Sequence, residues 1–136
     1  VQWLAFASNA FNTLVPFYAA VDETPEYLAN TTKEVSTENF YWSARMIAAR
    51  ADASFAKSAI HIERYQNAVQ AKGHALLRKY DAEAAKITDP AESRRLLEEA
   101  NREIAKMLKE ETGNTLDHVL FELSNSMKNA FSRSDA

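Results

Sequence analysis

Three histidines, His61, His74 and His118, are the side chains in this sequence best suited to acid–base or metal chemistry. Imidazole titrates near neutrality and is the commonest protein metal ligand, so their mutual spacing matters. His61 and Glu63 are two residues apart and would leave a helix on different sides. His74 sits among Lys72, Gly73 and Arg78, and His118 lies beside Asp117. None of the three is read as having a carboxylate or histidine partner at the i,i+3 or i,i+4 spacing of a helix-borne metal site. Surface or packing roles are expected for all of them, and no metal or other cofactor is expected.

A second pair of candidates is Asn9 and Asn12, which lie between two apolar stretches. Amide N–H groups held in a turn can donate to a developing oxyanion. The plainer reading is turn geometry, for which asparagine is favoured. Both readings stand at this point. Serine and threonine are plentiful, but no G-x-S-x-G elbow, P-loop or dinucleotide glycine fingerprint is present. Cysteine is absent, which removes disulfides, Cys-ligated zinc and a thiol nucleophile from these 136 residues. The motifs alone therefore assemble no self-contained active site.

The elements that must carry these residues fall into two compositional parts. Residues 1–37 are rich in aromatic and β-favouring side chains, with Trp3, Phe6, Phe11, Val15, Phe17, Tyr18 and Val21. Pro16 breaks any helical reading, so one or two short strands are predicted, closed by a turn at Asp22-Glu23-Thr24-Pro25. A strand pair this apolar needs a covering surface from elsewhere. Residues 38–136 read as helical. The spacing predicts one helix over about 38–58 with Tyr41, Ala44, Ala48, Ala51 and Phe55 on its buried face. A second, over about 59–87, presents Ile62, Tyr65, Val69, Leu76, Tyr80 and Ile87, with Gly73 tolerated inside it. Asp89-Pro90-Ala91-Glu92 is a helix-start signal. The third helix buries Leu96, Leu97, Ala100, Ile104 and Leu108, and pairs Arg94 with Glu98, Arg95 with Glu99 and Lys106 with Glu110 along a solvated face. Gly113 is expected to end it and Asn114 to cap a fourth helix striped by Leu116, Leu120, Leu123, Met127 and Phe131. Trp3 and Trp42 are expected in the core. The fold class is thus mostly α, antiparallel helices or a bundle with short N-terminal strands.

Charge and hydropathy narrow the partners. Sixteen basic against nineteen acidic residues give a net charge of −3, so no nucleic-acid partner is expected. No apolar run reaches the roughly 18–20 residues of a membrane span, and no membrane partner is expected.

Several blocks in order resemble the C-terminal end of PepD-type dipeptidases, a cysteine-peptidase family of N-terminal-nucleophile (Ntn) hydrolases related to penicillin V acylase and the bile salt hydrolases. They are Trp3-Leu4-Ala5, Phe11-Asn12 with Pro16-Phe17-Tyr18, Asp22-Glu23-Thr24-Pro25 with Tyr27, Tyr41-Trp42 with Arg45, Lys72-Gly73-His74, and Met127 through Ala136. The resemblance implies a larger four-layer αββα parent whose nucleophile is a cysteine at its mature N-terminus, with dipeptides as substrate and no metal. It also implies a cytoplasmic, bacterial setting. The nucleophile would lie upstream of this chain, whose first residue is Val1. Residues 1–37 would then be terminal strands and loop of the parent's catalytic sheet. No catalytic role is carried from the family onto Asn9 or Asn12. On this reading the isolated chain is inactive, and its partners are the rest of the parent and, through exposed edges, further copies of itself. The competing reading is a stand-alone, non-catalytic helical oligomerisation or interaction module.

Overall fold

The computed structural model describes residues 1–5, 12–29, 31–53 and 55–134, with no account of the side chains at 55, 126 and 128–134. Its elements are β1 (Gln2–Leu4), β2 (Val15–Phe17), α1 (Glu26–Ala29), α2 (Phe40–Ala53), α3 (Phe55–Ala84) and α4 (Pro90–Ser134). The mostly helical class with two short strands is as expected. α3 and α4 form a long antiparallel hairpin, about 45 and 68 Å long at 1.5 Å per residue. The antiparallel β1–β2 pair and α2 both pack on that hairpin.

Local signals explain most boundaries. Asn39, 2% exposed, caps α2 by accepting the Trp42 N–H at 3.0 Å through Oδ1. Asp89 starts α4 as its sequence predicts: its carbonyl accepts from Ser93 N at 2.9 Å and its carboxylate from Ala91 N at 3.3 Å, with Pro90 at the first helical position. The last turn of α3 tightens through Lys86 N to Glu83 O and Ile87 N to Ala84 O, both 3.1 Å.

Four boundary or face expectations fail. Gly113 does not end a helix, because α4 runs through it to Ser134. The buried stripe Leu108, Thr112, Thr115, Leu116 and Val119 continues across the glycine. Burying side chains such as Leu116 and Val119, at about 1.5–3 kcal/mol each, outweighs the roughly 1 kcal/mol cost of a mid-helix glycine. Beyond it, Leu120 and Met127 are exposed and Val119 takes the inward position. Phe131 lies outside the side chains described. The expected break at 58/59 lies inside α3, which is already helical from Phe55. In α2 the buried face is Phe40, Ser43, Ala44, Ile47 and Ala51, so it is rotated slightly from the expected Tyr41–Ala48 line.

The tryptophans are not core anchors. Trp3 is 37% exposed on β1, with its ring 4.9 Å from that of His74. Trp42 is half-buried on α2 and donates Nε1–H to Thr32 O at 2.6 Å. The core is instead Val15, Phe17, Tyr27, Phe40, Ile47, Tyr65, Val69, Tyr80, Ile104, Leu108 and Val119 with their smaller neighbours.

Two contacts seat β2 on the helical hairpin. A Cβ built on buried Gly73 of α3 would lie 3.0 Å from Pro16 Cδ and 3.1 Å from its Cγ. The glycine is what lets the strand approach. Just past β2, Asn101 of α4, 3% exposed, binds both backbone groups of Tyr18. Tyr18 N–H donates to Asn101 Oδ1 at 2.8 Å, and Asn101 Nδ2 donates to Tyr18 O at 2.9 Å. The side-chain amide thus replaces the strand that would otherwise satisfy Tyr18. Tyr18 Oη also donates to Asp81 at 2.7 Å.

The expected outward charge pairs are partly redirected. Arg94 Nη1 meets Asp22 at 3.3 Å, and Glu98 accepts the Asp22 N–H at 3.2 Å, so both tie the 22–25 turn to α4. Lys109–Glu38, at 2.7 Å, similarly joins α4 to the start of α2, and Lys72–Glu111 joins α3 to α4.

The two glycines give opposite expectations. Gly113→Ala, with nothing within 4 Å of the added methyl, is expected to raise stability by about 0.5–1 kcal/mol. Gly73→Ala is expected to lower it by about 1–3 kcal/mol, because the stiff Pro16 ring has to move. Asn101→Ala, which strands two buried backbone groups, is expected to cost about 2–4 kcal/mol. Urea unfolding of the three variants beside the parent sequence checks all three values.

Candidate functional site

The candidate site begins at Asn12, which the loop before β2 places against α3. Asn12 is 5% exposed and Thr13 2%. Asn12 Oδ1 accepts the Thr13 N–H at 2.8 Å, and Gln66 Nε2 of α3 donates to Asn12 O at 2.7 Å. The carbonyl side of the amide thus does the local turn work expected of asparagine. Its Nδ2 is buried and has no hydrogen-bond partner among the described residues. A buried amide donor left in this state costs about 1–3 kcal/mol, so its persistence calls for a reason. Beside it opens a cleft of about 300 Å³ lined by Ala5, Asn12, Thr13, Leu14, Gln66 and Gln70. Asn9 lies outside the described residues.

The histidines separate into a pair and a single. His61 and His118 stack with ring centroids 5.2 Å apart and planes 12° from parallel. His61 Nε2 lies 3.4 Å from Glu122 Oε1, and His118 Nδ1 lies 2.8 Å from Asn114 O. Glu122 stands four residues after His118, so the expectation that no histidine has a helically spaced carboxylate does not hold for His118. His74 is thirteen residues from His61 on the same helix, about 20 Å along its axis, and contacts Trp3 instead. The three histidines therefore cannot share one ion. Among the described residues, no group of three or more His, Cys, Asp or Glu is placed to hold a metal.

Four buried tyrosines, Tyr18, Tyr27, Tyr65 and Tyr80, hold their protons more tightly than a free phenol. Burial, with the Asp81 carboxylate beside it, raises the Tyr18 phenol well above its usual range. Burial raises Tyr65 in the same direction against a 2.9 Å hydrogen bond with Thr112 Oγ1. Tyr80, also buried and next to Glu103, is pushed up to about 12. Tyr27 is raised by burial too. On the surface, the Glu38 carboxylate raises Lys109 and keeps it an ammonium. None of these tyrosines lines the cleft beside Asn12, whose described polar side chains are the amides of Asn12, Gln66 and Gln70 and the hydroxyl of Thr13.

Comparison with known proteins bears on what such a site belongs to. The family model described as Peptidase family C69 matches residues 1–68, half of the chain, from β1 into α3. This chain belongs to peptidase family C69. It is 38% identical to a dipeptidase of Bifidobacterium longum (strain NCC 2705) across 99% of its length, which is 32% of that protein. It is 41% identical to a probable dipeptidase A of Streptococcus pyogenes serotype M3, again across 99% of its length and 28% of that protein. A probable dipeptidase B of Lactococcus lactis subsp. lactis is 40% identical over 55 residues, 12% of its length. The chain thus spans about a third of the length of the curated C69 relatives it matches. Among its described residues no helix is long and apolar enough to cross a membrane.

The raised tyrosines set a direction for alkaline stability. An unfolded tyrosine ionises near 10, whereas the buried ones hold their protons higher, Tyr80 to about 12. Their contribution is fully present below pH 10 and is lost as pH rises above it, for Tyr80 through about 12. Phenolate absorbance and helical circular dichroism, followed together, are expected to show the buried tyrosines ionising only as the helices unfold.

Proposed function

We propose that this chain is a supporting part of a cysteine-type dipeptidase whose nucleophile lies in the two thirds of the family's length not represented here. One observation carries this reading: near-complete coverage of the chain by proteins named dipeptidases, about three times as long, while the chain itself has no cysteine. In the proposed reaction, the thiolate of an N-terminal cysteine attacks the dipeptide carbonyl, with the free α-amino group taking the thiol proton. The tetrahedral oxyanion collapses to a thioester and expels the amine, which takes up that proton. Water then attacks the thioester, releasing the acid and restoring the thiol. Residues 1–37 are assigned to the αββα catalytic sheet of that enzyme and residues 38–136 to its helical region. The setting is read as the bacterial cytoplasm.

Asn12 is our candidate for contact with the reaction. Its Oδ1 is committed to the turn, and its buried Nδ2–H groups, without a partner among the described residues, could donate to the oxyanion. Removing one such donor typically lowers kcat by about 100–1000-fold. In the family-length enzyme, Asn12→Ala is expected to lower kcat on a dipeptide by that factor with KM little changed. A lowered melting temperature with kcat intact would assign Asn12 to turn geometry alone. The 136-residue chain by itself is expected to hydrolyse no dipeptide, and measurable turnover by it would overturn the proposal.

The competing reading, a self-sufficient helical module, draws support from the α3–α4 hairpin and its buried tyrosines. Val15 and Phe17 of β2 are part of the same buried cluster, which favours the strands and helices acting together.

A further inference from the structure

The register of the small sheet determines which of its two edges is open. Gln2 pairs with Phe17, Trp3 with Pro16 and Leu4 with Val15. Pro16 has no N–H, so Trp3–Pro16 is the pair that exchanges no hydrogen bonds, and Gln2–Phe17 and Leu4–Val15 are the bonded pairs. Backbone groups alternate along a strand. Those of Pro16 and Tyr18 therefore point to the outer edge of β2, and those of Trp3 to the outer edge of β1.

The outer edge of β2 is closed twice over. Pro16 offers it no donor, and Asn101 occupies both backbone groups of Tyr18. The outer edge of β1 is the opposite case. All three residues of β1 are exposed, and no strand among the described residues pairs with its outer side. Residues 1–5 carry no charged side chain and no proline, the usual devices that protect a free edge. Val1 is 58%, Trp3 37% and Leu4 38% exposed. The contact between the Trp3 and His74 rings holds the strand against α3 with that edge presented.

We infer that the outer edge of β1 is a docking edge for a β-strand supplied by the part of the family-length protein outside this chain. The inference rests on the reading of the chain as part of a longer dipeptidase. The occupant follows from length: about two thirds of the relatives' own length lies outside the part this chain matches, and β1 is the only strand edge among the described residues able to accept a strand. The sheet then grows in one direction, away from α4.

Amide hydrogen exchange at Trp3 tests this in the 136-residue chain and in the family-length protein that contains it. In the chain alone, the Gln2 and Leu4 amides should be protected by β2, and the Trp3 amide should exchange freely. In the longer protein the Trp3 amide should slow by on the order of 100-fold. A Trp3→Pro substitution should lower the melting temperature of the longer protein more than Trp3→Ala, which loses the ring contact and keeps the N–H. Fast Trp3 exchange in both proteins would overturn the inference. So would protection already present in the 136-residue chain, and a doubled mass in light scattering would then identify a second copy as the occupant. Dipeptidase assay of the longer protein separates the two proposals: protection without activity leaves the docking edge standing and removes the enzymatic reading.

Discussion

The structure hangs on how a three-residue strand is held against two helices with no third strand, among the described residues, to hold it. A buried strand has to satisfy its backbone and bring its chain close enough to pack. Asn101 does the first by offering Tyr18 an amide of the same shape as a neighbouring peptide. Gly73 does the second by leaving room for the Pro16 ring. With both in place, Val15 reaches 0% and Phe17 6% exposure, and the strand joins the core of the helical hairpin. Neither contact is replaceable by generic hydrophobicity. One needs a bidentate amide and the other the absence of a side chain.

That arrangement divides the labour of the chain. The helices supply the platform, and the cleft before β2 is formed where Asn12 meets α3. Asn12, Gln66 and Gln70 border one cleft, and beside it Asn12 Nδ2 has no partner among the described residues. The match to peptidase family C69 falls on residues 1–68, the same half that contains the sheet and Asn12.

Much of this was legible in the sequence where a local rule decides the outcome. Asp89-Pro90 marks a helix start whatever surrounds it, and the Ile62–Tyr65–Val69–Tyr80 stripe is strong enough to set the buried face of α3. Gly113 misleads because its cost is local and small, whereas the packing that overrides it comes from residues on other helices. Trp3 and Trp42 mislead because aromatic size favours burial only where a surface exists to receive it. Asn12 was visible as an amide in a turn; that only half of it is used could be learned only from coordinates. Asn101 gave no signal at all. It lies in a helix rich in charged residues, and its partner is 83 residues away. The His61–His118 stack likewise needs the antiparallel pairing of α3 and α4 before spacing has meaning.

The 83-residue separation between Asn101 and Tyr18 also bears on the order in which the molecule assembles. α3 and α4 are joined by a short connection, so their pairing closes a small loop, and each doubling of loop length adds only about 0.6 kcal/mol of closure entropy. The strand's binding place, by contrast, does not exist until both helices are side by side, since Gly73 belongs to one and Asn101 to the other. β2's seat is therefore complete only once the two helices are paired. In chain order, Asn101 follows Tyr18 by 83 residues, so the seat of Val15–Tyr18 is drawn from residues that the ribosome adds well after the strand itself.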